Sequence, residues 1–202
     1  LKLILASTSP RRAEILRNAG IRFEICSTGV DESRLDNESP GDYVRRLALA
    51  KVSSAAEKNP NPGADVLIIG ADTVVVVDSA ILGKPASGDD AKRMLRSISG
   101  RVHDVHTGLA LLQTSGMQQR VVEEITKVHF ARLTDHEIED YLATREPFDK
   151  AGAYAVQGLG GRYVTRIEGC YFNVMGLPLA RLWTLLREFG LGNSAENQSD
   201  TK

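Results

Sequence analysis

Apolar and polar positions recur with two different periods along this chain, and the changes of period mark its elements. The run "LKLILA" at residues 1–6 reads as a strand. A Ser-Thr-Ser-Pro turn follows, then a helical pattern, "RRAEILRNAG". Ser9 suits the N-cap, Pro10 the first helical position and Gly20 the stop. "IRFEICS" predicts a second strand, and "GVDESRLDNESPGD" a polar loop. Ser39 and Pro40 open a helix through "GDYVRRLALAKVSSAAEKN", in which Val44, Ala48, Lys51 and Ala55 share one stripe at i+3 and i+4 steps. "NPNPG" is a loop. "ADVLIIGADTVVVV" predicts a buried strand interrupted at Gly70-Ala71-Asp72, after which "DSAILGKP" turns back. Ser87 caps a helix with Ala91, Met94, Leu95 and Ile98 on one face, ended by Gly100. "RVHDVHTGLALL" and "VVEEITKVHFARL" predict strands joined at Thr114-Ser115-Gly116. Thr134 and Glu137 form a capping box for "DHEIEDYLATR". Short strands and glycine turns are expected from Glu146 to Gly169, then a last amphipathic helix from Pro178 to about Phe189. The tail from residue 192 to 202 has no apolar period and is expected to be disordered, leaving one domain over 1–191. The mixture predicts an α/β fold with a mixed sheet flanked by helices, not a regular βαβ alternation.

Composition narrows the class. Hydrophobic residues make up 42% of the chain and charged ones 25%, as in globular domains. The net charge of -1 argues against a generally basic nucleic-acid-binding surface. No apolar run approaches the roughly 20 residues of a membrane span, and no signal-peptide pattern is visible. Cys26 and Cys170 each lie beside apolar residues and are expected to be reduced rather than paired, which fits a cytoplasmic setting.

Polar residues in costly places supply the candidate chemistry. Arg11 and Arg12 fall in the first turn of a helix, where the dipole disfavours cations and an anion would resolve the conflict. Asp72 interrupts an apolar run and must be paired, metal-bound or at an open strand end. Lys51 either reaches out to solvent or points inward and needs an anion. Lys84, in "LGKP", can return to the same rim, and Asp31 with Glu32 add carboxylates from a loop. Together Arg11, Arg12, Lys51, Lys84 and a helix N-terminus would make a polyphosphate cradle. Asp72 with Glu32 would make an oxygen site for Mg²⁺ or Mn²⁺. His103 and His106, three apart on a strand, face opposite sides and do not share a metal. "GLGG" at 158–161 lacks a nucleotide-binding fingerprint and reads as a turn.

The stretches "LASTSPRRAEIL", "ALAK", "IIGADTVV", "LGKP", "DKAGAYAVQGLGG" and "VMGLPL", in that order from Leu3 to about Leu191, resemble the Maf family of nucleoside-triphosphate pyrophosphatases. The resemblance implies an elongated α/β fold like that of inosine-triphosphate pyrophosphatases and a homodimer. It also implies metal-dependent cleavage of a nucleoside triphosphate to monophosphate and pyrophosphate. Arg11, Thr73 and Gln157 match the branch that acts on dTTP and UTP; the other branch acts on 7-methyl-GTP. On this reading Glu32 and Asp72 hold the metal, and Asp72 accepts a proton or orients water. Arg12, Lys51 and Lys84 hold the phosphates, Ser7 completes the cradle, and Gln157 reads a pyrimidine edge. The rival expectation is a non-catalytic nucleotide-binding regulator of septum formation.

Overall fold

The computed structural model describes residues 1–59 and 65–191. Apart from Asn59, the expected "NPNPG" loop lies outside the described residues, as does the expected disordered tail. The elements are β1 (Lys2–Leu5), α1 (Pro10–Asn18), β2 (Glu24–Ile25), α2 (Pro40–Lys58), β3 (Val66–Val77), β4 (Ala80–Leu82), α3 (Gly88–Ile98), β5 (Val102–Gln113), β6 (Gln118–Phe130), α4 (Asp135–Ala143), β7 (Val164–Glu168), α5 (Tyr171–Val174) and α6 (Leu179–Glu188). Short 3₁₀ turns occupy Glu146–Asp149, Ala151–Ala153 and Leu159–Tyr163. The seven strands form one mixed sheet in the order β2-β1-β3-β5-β6-β7, with β4 on β3. β1 runs parallel to β2 and β3, whereas β3, β5, β6 and β7 pair antiparallel. No helix among the described residues is long and apolar enough to cross a membrane.

β3 is buried on both faces, which is why it reads as a continuous apolar run. Ile68 and Val66 pack under α2 with Ala48, Val52 and Ala55. Leu67, Ile69 and Ala71 face the other way, toward Leu16 of α1 and Leu182 and Leu186 of α6. The expected interruption at Gly70-Ala71-Asp72 does not occur: β3 passes through it and pairs with β5 at Gly70↔Ala110 and Asp72↔Gly108. The glycine has a different reason. A Cβ at Gly70 would lie 2.6 Å from the Ala48 carbonyl of α2, and one at Gly108 would strike the Val44 carbonyl. Two strand glycines thus let α2 lie directly on the sheet.

Local signals held at several ends. Ser39 accepts from the Asp42 N–H, Ser87 from the Asp90 N–H, and the Thr134–Glu137 capping box is closed. Ser9 is a different case: its side chain caps nothing, and its own N–H donates to Ser7 Oγ at 3.2 Å. The strand expected over 21–27 shrinks to the two residues of β2. Between Glu146 and Tyr163 the expected strands are 3₁₀ turns instead. Those N–H groups find partners other than a neighbouring strand, with Leu159 and Gly160 both donating to the Glu146 carboxylate. A second core, around Phe130, Tyr141, Tyr154 and Tyr163, joins these turns to α3, α4 and the far half of the sheet.

Candidate active site

β1 stops at Leu5 opposite Ile69, while β3 continues to Val77 and meets β4 only from Val75. One edge of β3 is therefore left without a strand between these points, at the carboxyl end of the parallel pair where open α/β sheets characteristically bind ligands. Asp72 and Thr73 sit in that gap. Because side chains alternate along a strand, they leave the sheet on opposite faces.

Asp72 meets α2. Its Oδ1 accepts from Lys51 Nζ at 2.6 Å, and the same ammonium lies 2.7 Å from Glu32 Oε1. Lys51 and Asp72 are 6% and 8% exposed, so the lysine points inward and not to solvent. The Tyr43 hydroxyl, one turn from the start of α2, donates to the Glu32 carbonyl at 2.6 Å and pins the loop that brings Glu32 in. Desolvation opposes ionisation of Glu32. The hydrogen bond from Lys51 and the charges of Lys51, Lys84 and Arg12 outweigh it and hold the carboxyl below its ordinary range.

Thr73 meets α1. Arg12 Nη2 donates to Thr73 Oγ1 at 3.2 Å, Nη1 to Ser7 Oγ at 3.1 Å, and Nε to the Gly176 carbonyl at 2.8 Å. Thr73 Oγ1 lies 2.9 Å from Thr107 Oγ1 across the β3–β5 ladder, and Thr107 donates to the Asn173 carbonyl. Arg12 is 8% exposed, and all three of its hydrogen-bond partners are neutral. Burial pulls its pKa down, with the more distant charges of Asp72 and Glu32 acting the other way. A guanidinium has five N–H donors, so this one keeps unused donors, and no carboxylate among the described residues is in contact with it. Arg11 has its own anion, Asp149, at 3.4 Å.

These groups wall two adjoining hollows of about 320 and 360 Å³, which share Arg11, Arg12, Glu32, Lys51 and Lys84. One continues past the Ser7–Pro10 loop, Ser27 and Thr28. The other continues past Thr73, Tyr154, Gln157 and Met175 into more apolar surroundings. Nine candidates taken from the sequence lie on this one cleft: Ser7, Arg11, Arg12, Glu32, Lys51, Asp72, Thr73, Lys84 and Gln157. Asp31 does not line it; its exposed carboxylate accepts from the Ser33 N–H. Lys84 and Gln157 are exposed on its walls. Sequence reasoning did not single out Tyr43, Lys150, Tyr154 or the Gly176 carbonyl. Lys150 and Tyr154 stand inside the quoted "DKAGAYAVQGLGG", whereas a backbone carbonyl leaves no mark in a sequence. His103 and His106 do part to opposite sides, toward Tyr154 and Glu123, and both cysteines are free thiols.

Among the described residues, no group of three or more His, Cys, Asp or Glu is placed to hold a metal. The two carboxylates that meet at Lys51 nevertheless fit a hard divalent cation, which takes few protein oxygens and completes its shell with water and phosphate.

The family model described as Maf-like protein matches residues 2–189. A relative named dTTP/UTP pyrophosphatase from Acetivibrio thermocellus is 49% identical over 194 residues, covering 95% of this chain and 96% of its own length. Another of that name, from Bacillus cereus, is 46% identical over 192 residues, covering 94% and 96%. Among solved structures, a nucleoside-triphosphatase / dITP/XTP pyrophosphatase from Mycobacterium abscessus covers 94% of this chain and 98% of its own at 19% identity and a TM-score of 0.44.

Proposed function

The chain belongs to the Maf-like protein family, and from that premise we propose that it is a nucleoside-triphosphate pyrophosphatase that hydrolyses dTTP and UTP to the monophosphate and pyrophosphate. The observation that carries the reading is Arg12: a buried cation with neutral partners and spare donors, beside a buried lysine shared by two carboxylates. A triphosphate supplies the anion that this arrangement needs.

The chemistry follows from the groups on the two walls. Arg12, Lys51 and Lys84 hold the phosphate oxygens and stabilise charge as it moves onto the leaving group. Ser7 and the N–H groups of the Ser7–Pro10 loop complete the cradle at the N-terminus of α1. Asp72 gives one oxygen to Lys51 and keeps the other to orient the attacking water toward the α-phosphorus. A P–O bond forms there as the bond to the α,β-bridging oxygen breaks; the water's proton passes to the free Asp72 oxygen and on to solvent, and pyrophosphate leaves. Glu32 and Asp72 would hold Mg²⁺ or Mn²⁺, which when bound supplies Lewis acidity to phosphate oxygens and to water. Gln157, with Arg11 and Thr73 on the same cleft, reads the O4 and N3 positions of uracil or thymine. We take the protein to work as a homodimer, following the resemblance, and in the cytoplasm, where unpaired cysteines such as Cys26 and Cys170 are at home.

Pyrophosphate release from dTTP and UTP, with Mg²⁺ or Mn²⁺ present, tests the proposal. Turnover of both is expected. Tight nucleotide binding without release of pyrophosphate would overturn it in favour of a non-catalytic regulator.

A further inference from the structure

The "GLGG" turn and the 3₁₀ segment before it play no part in the chemistry above, yet they are unusually well tied. The Glu146 carboxylate accepts from the Tyr141 hydroxyl at 2.6 Å, from the Leu159 N–H at 2.9 Å and from the Gly160 N–H at 2.9 Å. The Tyr141 oxygen accepts in turn from the Ala155 N–H at 3.1 Å. Tyr141 is fully buried. Two glycines are fitted to this cluster. A Cβ at Gly158 would strike the Glu146 carboxylate, and one at Gly160 would strike the Tyr141 hydroxyl. Neither Glu146 nor Tyr141 lines the cleft.

The cluster grips the chain at Ala155 and again at Leu159–Gly160, and Gln157 is the midpoint between these anchors. Ala155 and Gln157 both line the cleft, as does Tyr154. Gln157 has no side-chain partner among the described residues and is exposed, so only its backbone fixes where its amide can reach. We propose that Glu146, through Tyr141, is a positioning residue for nucleobase selection: it sets the place of Gln157 without touching the substrate. The inference rests on the reading of the cleft given above. It also accounts for Gly158 and Gly160, which make room for the Glu146 carboxylate and the Tyr141 hydroxyl, not for a phosphate.

Misplacing a recognition group by about an ångström can cost up to roughly 10²-fold, while the phosphate cradle, built on α1, α2 and β3, would not feel the change. The test is Glu146→Gln, which turns one acceptor oxygen into a donor facing an N–H, and Tyr141→Phe, which removes only the hydroxyl. Four quantities are compared with wild type: kcat and KM for UTP, the UTP-to-CTP ratio of kcat/KM, and the inhibition constant of inorganic tripolyphosphate, which has no base. The expected result in either variant is a UTP KM raised about tenfold, a UTP-to-CTP ratio moved toward one, and tripolyphosphate inhibition within about twofold of wild type. Unchanged discrimination, or equal losses for UTP, CTP and tripolyphosphate, would overturn the proposal. So would failure of both variants to fold, which would make the cluster a stability element. Wild type that does not turn over UTP would instead sink the underlying reading, so the two failures are separable.

Discussion

The two ends of the cleft are held by different kinds of chain. At one end, Arg12, Lys51 and Asp72 project from α1, α2 and β3, are nearly buried, and bond to one another's neighbourhood at 2.6–3.2 Å. At the other, Gln157 stands exposed on an irregular stretch between 3₁₀ turns. The buried end cannot be rearranged without leaving a charge unpaired, which is costly. The exposed end depends on a few backbone hydrogen bonds and can be re-aimed at small cost to the fold. A reaction common to all nucleoside triphosphates would belong on the first; a choice among bases would belong on the second.

The difference can be broken most forcefully at Asp72. Asp72→Asn keeps the shape and removes the charge, and UTP turnover should fall by about 10³-fold or more with the circular dichroism spectrum unchanged. A variant that retains near wild-type kcat would remove Asp72 from the chemistry. Arg12→Met comes next. Loss of about 10²-fold in kcat/KM is expected, with kcat sharing in it because the phosphate contacts strengthen as charge moves to the leaving group. If only KM changes, Arg12 binds ground state and transition state alike.

Gln157→Glu should leave that end alone and act on selection. It removes two donors and adds a negative charge, so the ratio of kcat/KM for UTP over 7-methyl-GTP should fall about tenfold. An unaltered ratio would take Gln157 out of base recognition. The smallest effect concerns the support of the exposed end. His103 Nε2 and the Tyr154 hydroxyl are 2.8 Å apart behind the cleft wall. Burial holds the His103 pKa down at about 4, against about 6.5 in an unfolded chain. As pH falls through 6.5 the unfolded chain gains a proton that the folded one refuses, so stability drops between about 6.5 and about 4 and levels off below. At pH 5.5 the loss is about 1.4 kcal/mol, a few degrees in melting temperature. His103→Gln should melt with a shallower pH dependence over that window; equal slopes would mean that His103 charges inside the fold.

What could be read from the sequence follows the same division. Periodicity found β3, α2 and the β5–β6 hairpin because burial on one or both faces imposes a regular pattern on the chain. Polarity in apolar runs found Asp72 and Lys51, since such groups need partners, and Arg11 and Arg12 stood out against the helix dipole. The break assigned to Gly70-Ala71-Asp72 was misplaced because a strand glycine can answer to a helix lying on it, a contact from residues twenty-two positions away in the case of Ala48. The turn at 158–161 was legible, but the short strands expected around it from Glu146 to Tyr163 are 3₁₀ turns: the N–H groups of Ala155, Leu159 and Gly160 are satisfied by a phenol and a carboxylate, and no local period records that. Gln157 came from resemblance alone, for it has no costly surroundings to betray it.

Arg12 also sets a condition on when the cleft can exist. Its Nε donates to the carbonyl of Gly176, 164 residues further along the chain. At the roughly 5–20 residues per second of protein synthesis, the ribosome makes the second partner on the order of ten seconds after the first. Until then the guanidinium lacks the acceptor that seats it, however well β1, α1 and β3 have already come together. A chain that ends ahead of Gly176 would carry Arg11, Arg12, Lys51 and Lys84 and still lack the acceptor that seats Arg12.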